Sequence, residues 1–412
     1  MIETPTSPNT PTAKPGTPTM PGGFMSFLKQ LGQRDLSQLP VLAALAAIAI
    51  YFNFFLGPDL NGIFLGSRNL SNLSLEMVTM GTISLAAVIV LLLGEIDLSL
   101  AAVAGFSGAI MVTLSVNHHF SAPAAILAAL VAGLVIGTVN GLLVAVIRVP
   151  SFIVTLAALI FYSGFLEHIL LPQTTIRLTD PGLTDIASNY LSPTFSIGLP
   201  ILAVVLYAVF TIGGRLMRQR RGLEVPSIVD PLVRIGALAL LAIVVISVYT
   251  NYLGIPISLT ILFVLVVIFW VVLRFTTFGR HVYATGGNIE AARRAGINVV
   301  MVRVSVFALA SMLAAIAGML EASRQISASA QVDPVLLLDA IAAAVIGGVS
   351  LFGGRGSPWA VFLGGLVIQG LLTGLTLRGE SSDIQQMIEG GALILAIILD
   401  ALIRRRNAVS GR

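Results

Sequence analysis

The sequence predicts an all-α polytopic membrane protein with about 10–12 transmembrane helices, a Gly/Ala-packed bundle, and both termini in the cytoplasm. Three observations predict this fold class. Of the 412 residues, 56% are hydrophobic and 10% are charged, with a mean hydropathy of +0.97, whereas a soluble domain carries about 25% charged residues. Long uncharged stretches recur along the chain, and basic residues are distributed unevenly between them. This composition excludes a soluble multidomain enzyme.

Residues 1–35 are predicted to be a disordered, Pro- and Thr-rich cytoplasmic tail. A segment of this composition cannot bury enough apolar surface to fold, and it lacks the basic end and adjoining apolar core of a secretory signal. A transmembrane domain is predicted over residues 36–406. A short C-terminal tail is expected at 407–412.

A hydrocarbon core about 30 Å thick needs about 20 largely apolar helical residues. The stretches of suitable length are 36–58, 77–94, 98–147, 149–166, 186–214, 235–273, 304–320, 340–354, 356–377 and 384–403. Two of them are long enough for two spans each, with breaks expected at 117–123 and 251–256. The stretch 340–354 is short, so a full span and a re-entrant segment both remain open.

The distribution of basic residues predicts the orientation. With an inner N-terminus and twelve spans, all 23 Lys and Arg residues except Arg68, Arg177, Arg324 and Arg378 fall in inner segments. Cytoplasmic segments of membrane proteins carry an excess of Lys and Arg. The net charge of +4 is therefore interpreted as a topology signal, and no nucleic-acid partner is expected.

Small residues predict how the helices pack. Gly133, Gly137 and Gly141 form a GxxxGxxxG face, and such faces allow helix backbones to approach closely in lipid. Gly105-Phe106-Ser107-Gly108 matches the GxSG pattern of intramembrane serine proteases. That chemistry needs a histidine base beside the serine, and the four histidines lie near outer span ends or in an inner loop. We interpret the motif as packing.

Residue counts exclude further catalytic chemistry. A Walker A loop needs Gly-Lys-Ser/Thr, and the only lysines, Lys14 and Lys29, lie in the N-terminal region. The chain has no cysteine, and its histidines have no metal-ligand spacing. We therefore expect no enzymatic activity, no catalytic residue, no metal site and no cofactor.

The longest inner loop contains a short predicted helix with a cap at each end. Asn288 is a good N-cap, and Glu290 in the first turn favours the positive helix end. Arg293 and Arg294 are spaced to pair with Glu290, and Gly296 can supply a left-handed C-cap. The residues alone leave open a rigid helix held against a partner or a well-capped surface loop.

Five polar residues are candidates for a translocation path or gate. Glu95 and Asp97 lie between two apolar spans, where acidic residues are costly and suggest function. Asp97 also precedes a span as an N-cap would. Asn140 and Gln369 either join helices or contact a solute. Asp339 begins a short apolar run ending in paired glycines, where a discontinuous helix would be tolerated.

Four stretches, in order and at similar spacing over about residues 70–400, resemble the bacterial monosaccharide ABC-importer permeases. They are Glu95–Ser99 (EIDLS), 149–157 (VPSFIVTLA), 286–298 (GGNIEAARRAGIN) and 338–348 (LDAIAAAVIGG). The pattern is nearest to that of the xylose-type permeases. Glu95 agrees with this type, since ribose-type relatives carry glycine at that place.

The resemblance implies a multi-pass permease subunit of an ABC importer in the bacterial inner membrane, with D-xylose as the expected sugar. The implied partners are two separate ATPase subunits, an extracytoplasmic sugar-binding protein, a second and identical permease subunit, and membrane lipid. It also implies a coupling helix in the cytoplasmic loop 274–303 that docks into the ATPase, with candidate residues Gly287, Asn288, Glu290, Ala291, Arg293, Arg294 and Gly296.

Alternating access is the expected mechanism, with neutral polar and aromatic groups lining the path of an uncharged sugar. The alternative is an ion-coupled secondary sugar carrier. Such a carrier needs titratable residues near the middle of the bilayer, and Glu389 is the one acid in this chain that stands apart from the span ends. A polytopic membrane enzyme is a weaker alternative, because the histidine, cysteine and lysine chemistry is missing.

Overall fold

The computed structural model describes residues 39–56, 60–223, 228–331 and 333–409. The predicted N-terminal tail, with Lys14, Lys29 and Arg34, lies outside the described residues. The last helix runs to Val409, so three residues of the predicted C-terminal tail are helical and the rest of that tail lies outside the described part.

Within the described residues the chain forms fifteen α-helices and one two-stranded antiparallel sheet. In chain order the elements are α1 Leu39–Phe54, α2 Ser67–Leu92, α3 Leu100–Val116, α4 Ala122–Ala145, α5 Ser151–Leu170, β1 Thr175–Arg177, α6 Pro181–Ser188, α7 Pro193–Arg220, α8 Val229–Thr250, α9 Ile257–Phe275, α10 Thr277–Gly287, α11 Ile289–Arg294, α12 Val299–Gln325, β2 Ser327–Ser329, α13 Pro334–Ile346, α14 Ala360–Leu377 and α15 Ser382–Val409.

The predicted all-α polytopic fold is confirmed. Eight helices in the described part are long and apolar enough to cross a membrane, namely α2, α4, α5, α7, α8, α9, α12 and α14. Three shorter apolar helices, α1, α3 and α13, accompany them. The two longest uncharged stretches do break in two, between α3 and α4 and between α8 and α9.

The bundle is built around α2 and α12. Almost all of the apolar part of α2 is buried inside the protein, and α12 packs against α2, α3, α4 and α6. By contrast, α7 and α8 pack mainly against each other and expose large apolar side chains such as Phe210 and Leu240. In a membrane-spanning chain these outward faces contact lipid, which explains why burial alone does not identify the spans.

The three glycines of the GxxxGxxxG face on α4 lie against α12. A Cβ on Gly137 would come within 2.3 Å of the Phe307 carbonyl oxygen, and a Cβ on Gly141 within 2.8 Å of the Val304 Cα. A Cβ on Gly133 would come within 2.7 Å of the Ala315 Cβ. Any side chain at these positions would therefore push the two backbones apart.

The two ends of the bundle, called outer and inner after the orientation that the basic residues predict, are built differently. At the outer end β1 pairs with β2, and the Ser323 hydroxyl near the end of α12 donates to the Leu183 carbonyl of α6 at 2.6 Å. At the inner end the loop after α2 meets α10 and the segment between α13 and α14, where the Gly354 amide donates to the Leu92 carbonyl at 2.9 Å.

Of the short stretch 340–354, residues 340–346 belong to α13 and the rest to the connection before α14. The 13 residues of α13 extend about 20 Å at 1.5 Å per residue, less than the hydrocarbon thickness. The helix begins after β2 and ends where a Cβ on Gly347 would meet the Ala360 carbonyl oxygen at 2.1 Å. By its length, α13 alone does not cross the hydrocarbon core.

Prediction: Gly137→Val destabilises the bundle. The added side chain must displace the α12 backbone at Phe307, and overpacking of this kind costs about 1–3 kcal/mol. The matched control is Gly164→Val on α5, where a Cβ meets nothing within 4 Å. Thermal unfolding of both purified variants in detergent measures the difference, and equal melting temperatures would contradict the packing role.

Candidate functional site

The inner-end helix α11 is capped and exposed. The Asn288 side chain accepts a hydrogen bond from the Ala291 amide at 2.9 Å, and Arg293 forms a 3.0 Å ion pair with Glu290. Gly296 has φ of +83° at the end of the helix, in the left-handed region that favours glycine. Arg294 forms no ion pair within the described part of the chain.

Almost every residue of α11 and its flanks faces solvent. Ala292 is buried, whereas the predicted coupling residues Gly287, Asn288, Glu290, Ala291, Arg293, Arg294 and Gly296 are all exposed. An isolated helix of six residues would be marginal in water. The stability of α11 must therefore come from its caps and from the structure that carries it.

That support is a set of close backbone contacts involving glycine. A Cβ on Gly286, just before α11, would lie 1.8 Å from the Leu92 carbonyl oxygen at the end of α2. A Cβ on Gly354 would lie 2.9 Å from the Gly287 Cα. The Tyr283 hydroxyl adds a 2.8 Å hydrogen bond to the Gly356 carbonyl. The base of α11 is thus fixed to the end of α2 and to the α13–α14 connection.

Glu95 lies in the same inner region and is paired with a partner that the sequence did not reveal. Its carboxylate contacts the Arg303 guanidinium of α12 at 2.5 Å, with side chains 13% and 20% exposed. The ion pair joins the α2–α3 loop to the beginning of α12. Arg303 lies more than 200 positions away in sequence, so no local spacing could have identified it.

Asp97 and Asn140 meet through Ser99. One Asp97 carboxylate oxygen accepts hydrogen bonds from the Ser99 amide at 2.8 Å and from its hydroxyl at 2.6 Å, and the Asn140 amide donates to the same hydroxyl at 3.3 Å. The second Asp97 oxygen is buried without a partner. Burial raises the pKa of Asp97, in the α2–α3 loop, to about 6 despite the bonds from Ser99. This network holds the start of α3 beside α4.

The other two candidates lie on α13 and α14. The Gln369 amide donates to the Glu76 carboxylate of α2 at 2.8 Å. Asp339 is buried on α13, and Glu389 is buried on α15, which packs against α13. The five candidate path residues therefore do not form one cluster, because Glu95, Asp97 and Asn140 lie at the inner end and Gln369 contacts the outer half of α2.

A polar cavity that the sequence did not reveal lies between α2, α3, α12 and the segment that precedes α13. Its volume is about 110 Å³, and its polar lining comes from Thr79, Glu321, Gln325, Ser327, Ser329, Gln331 and Asp333. The Thr79 hydroxyl donates to the Glu321 carboxylate at 2.6 Å, and Arg324 pairs with Glu321 at 2.7 Å. Gln325 also donates to that carboxylate.

This lining differs from the expected one. It contains two carboxylates and no aromatic ring, whereas neutral polar and aromatic groups were expected. Ala104, Gly105, Gly108 and Gly318 complete the wall, which gives the GxSG segment a packing position beside the cavity. A sequence signal did exist, since the pair Glu321-x-x-Arg324 closes a predicted span and the polar run 325–331 follows it.

The cavity continues onto a polar surface. Glu76, Gln331 and Asp333 are exposed in the single chain, although they belong to helices or segments inside the bundle. Charged groups in a membrane face water or another protein surface rather than lipid. Within the described residues, no group of three or more His, Asp, Glu or Cys side chains is placed to hold a metal ion.

Comparisons with known proteins agree with this architecture. The family profile described as "Branched-chain amino acid transport system / permease component" matches residues 69–397. Xylose transport system permease protein XylH of Escherichia coli (strain K12) is 34% identical over 386 residues, covering 94% of this chain and 96% of the relative. The protein of the same name from Haemophilus influenzae is 36% identical over 368 residues, 89% and 98% of the two chains.

Relatives with other names are also similar. Ribose import permease protein RbsC of Bacillus subtilis (strain 168) is 32% identical over 350 residues, covering 85% of this chain and 88% of the relative. Fructose import permease protein FrcC of Rhizobium meliloti is 28% identical over 351 residues, 85% and 82% of the two chains. No solved structure matches this chain significantly.

Prediction: Glu95→Gln destabilises the inner end of the bundle. The change leaves the Arg303 guanidinium, whose side chain is 20% exposed, without its carboxylate, and a mostly buried polar group that loses its partner costs about 1–3 kcal/mol. We expect the double exchange Glu95→Arg/Arg303→Glu to recover part of the loss. Thermal unfolding in detergent measures the loss of stability and its recovery.

The control is Glu290→Gln, which removes an ion pair whose side chains are more than half exposed. Little change is expected there because water screens such pairs. Equal losses in the Glu95 and Glu290 variants would show that the Glu95–Arg303 pair does not hold the inner end.

Proposed function

The chain belongs to the branched-chain amino acid transport system / permease component family, and from that membership we propose that it is the transmembrane permease subunit of an ABC sugar importer. It is a multi-pass protein of the bacterial inner membrane. The match over residues 69–397 is the observation that carries this proposal, because it covers most of the chain. ATP hydrolysis is assigned to separate subunits.

D-xylose is the proposed sugar. The relatives named for xylose are 34–36% identical over nearly their whole length, against 32% for a ribose permease and 28% for a fructose permease. The difference in sequence identity between these relatives is small. The acid at Glu95, which the resemblance gives as a feature of the xylose-type pattern, supports the same sugar. The cavity lining offers carboxylate, amide and hydroxyl groups, which are suitable partners for sugar hydroxyls.

The proposed path begins at this cavity and runs along the polar surface beside it. The exposed Glu76 and the partly exposed Arg324 need a water-filled space or a second protein surface in the membrane. We assign that surface to an identical permease subunit, so that the path lies between two copies. Gln369, which fixes the Glu76 carboxylate, is a positioning residue in this arrangement.

The proposed role of α11 is to dock into an ATPase subunit. It is exposed, capped at both ends and fixed at its base to Leu92 and Gly354. A helix held in this way can transmit a displacement instead of bending. Two ATPase subunits would serve two copies of the chain, and an extracytoplasmic binding protein would deliver sugar at the outer end, where β1, β2 and α6 lie.

Alternating access follows from these contacts. Displacement of α11 is passed through Gly286 to the end of α2 and through Gly354 to the α13–α14 connection. Both α2 and the segment before α13 line the cavity, through Thr79 and Asp333 respectively. Movement of the docked ATPase therefore changes the shape of the proposed path at its walls.

Prediction: Glu290→Ala/Arg294→Ala abolishes co-purification with the sugar-importer ATPase. Both side chains are exposed on α11, so their removal changes the docking surface and leaves the fold intact. The matched control is Arg378→Ala/Glu380→Ala, which also removes one charge of each sign, from an ion pair at the outer end. Affinity purification in mild detergent with the ATPase co-expressed measures the association.

Retention of the ATPase by the α11 variant at the control level would exclude this docking role. A wild-type chain that purifies without any ATPase, and moves sugar down an ion gradient with ATP absent, would instead support the secondary-carrier alternative. The two results separate failure of the coupling helix from failure of the ABC assignment.

Prediction: Gln331→Ala lowers xylose uptake about three- to ten-fold, the equivalent of one neutral hydrogen bond. Its side chain lines the cavity and is exposed. Gln219→Ala, at the exposed inner end of α7, is the control. Uptake of labelled xylose by vesicles containing the ATPase and supplied with the binding protein measures the effect.

Unlabelled sugars in the same vesicles test the substrate. Excess unlabelled xylose should suppress uptake of labelled xylose more strongly than ribose or fructose at the same concentration. Stronger suppression by ribose would overturn the xylose assignment and leave the permease assignment intact. Normal uptake by Gln331→Ala would remove this cavity from the path.

A further inference from the structure

A second and larger cavity opens at the inner end of the bundle. Its volume is about 430 Å³, and it lies between the end of α4, the beginning of α5 and the beginning of α12. Four charged residues line it, namely Glu95, Arg148, Arg293 and Arg303. The proposed transport path does not use this cavity, since the polar path lining comes from other residues.

The cavity carries unbalanced positive charge. Glu95 neutralises Arg303, and Arg293 is paired with Glu290 on α11. Arg148 forms no ion pair within the described part of the chain. The Arg303 Nε is buried with no acceptor, so an anion in the cavity does not reach it. The exposed Arg148 guanidinium therefore remains available to an anion.

Backbone groups also contribute positive potential to this cavity. The N-caps and first residues of α5 (Pro150 and Ser151) and of α12 (Asn298 and Val299) line the same cavity. Helix N-termini carry partial positive charge, which favours bound anions. Arg148 has φ of +67°, a conformation that is costly for a residue with a side chain and is often found at functional sites.

Exposed apolar side chains flank the cavity lining along the chain. Those that flank its lining in sequence and are strongly exposed are Val146, Ile147, Phe152, Ile153 and Met301. In a membrane-spanning chain such side chains face acyl chains. A site with guanidinium donors beside lipid-facing surface matches a ligand that has an anionic head and an apolar tail.

We propose that this cavity binds the phosphate group of an anionic phospholipid from the inner leaflet, with Arg148 as its donor. Arginine is suited to this ligand because its planar fork matches the geometry of phosphate oxygens. This proposal is independent of the transported sugar. The bound headgroup lies beside Arg293 of α11, so lipid composition acts directly on the surface proposed to dock the ATPase.

The test compares the full-length wild-type chain with Arg148→Gln and with the control Arg220→Gln, an exposed arginine at the inner end of α7. Arg148 is exposed and unpaired, so its substitution is compatible with folding. Each protein is titrated with phosphatidylglycerol or phosphatidylcholine in detergent, and bound lipid is counted by native mass spectrometry. We expect Arg148→Gln to weaken phosphatidylglycerol binding about tenfold or more, the loss of a charged hydrogen bond, and Arg220→Gln to leave it unchanged.

Equal weakening in both variants would show only general attraction of basic residues to anionic lipid and would overturn the proposal. Equal binding of phosphatidylcholine by the wild type would overturn the charge selectivity. Inorganic phosphate added at millimolar concentration distinguishes the source of the anion. If phosphate displaces the lipid from the wild type, the cavity is a site for soluble anions instead.

Discussion

Close contact between helix backbones is the constraint on which this bundle depends. Apolar side chains gain little by leaving lipid for a protein interior, so tight van der Waals packing has to hold the helices together. A Cβ on Gly318 would lie 1.8 Å from the Ala104 carbonyl oxygen, and a Cβ on Gly364 would lie 1.7 Å from that of Ala343. The same device fixes α3 to α12, α13 to α14, and the end of α10 to α2.

These contacts make α12 the element that connects the two ends. The helix has 27 residues and extends about 40 Å, and the part from Arg303 beside the inner cavity to Glu321 beside the proposed path extends about 27 Å. Because α4 packs on its first half through Gly137 and α3 on its second half through Gly108, α12 has little freedom to bend. An ion pair at one end and a polar cavity at the other are therefore carried by one helix.

Interactions within one helix were predictable from the sequence, whereas contacts between residues far apart in sequence were not. The spans follow from apolar stretches of about 20 residues, and the Asn288 cap with the Glu290–Arg293 pair follows from spacings within one helix turn. The partners of Glu95 and Gln369 lie on other helices, more than 200 residues away, and only packing brings them together. Glu321 was missed for the same reason. Its hydrogen-bond donor Thr79 lies on α2, and nothing in the local sequence of Glu321 indicates that contact.

The polar surface beside the proposed path has to be kept away from lipid. Glu76 receives a hydrogen bond from Gln369, yet it remains exposed in the single chain, and one hydrogen bond does not offset the cost of a carboxylate facing lipid. The proposed second copy of the chain shields this surface and encloses the proposed path. In that proposed arrangement the two α11 helices act on opposite walls of one path. Because the α10 that precedes each α11 contacts, through Gly286, the α2 that carries Glu76 and Thr79, we expect the proposed docking surface and the wall of the proposed path to move together.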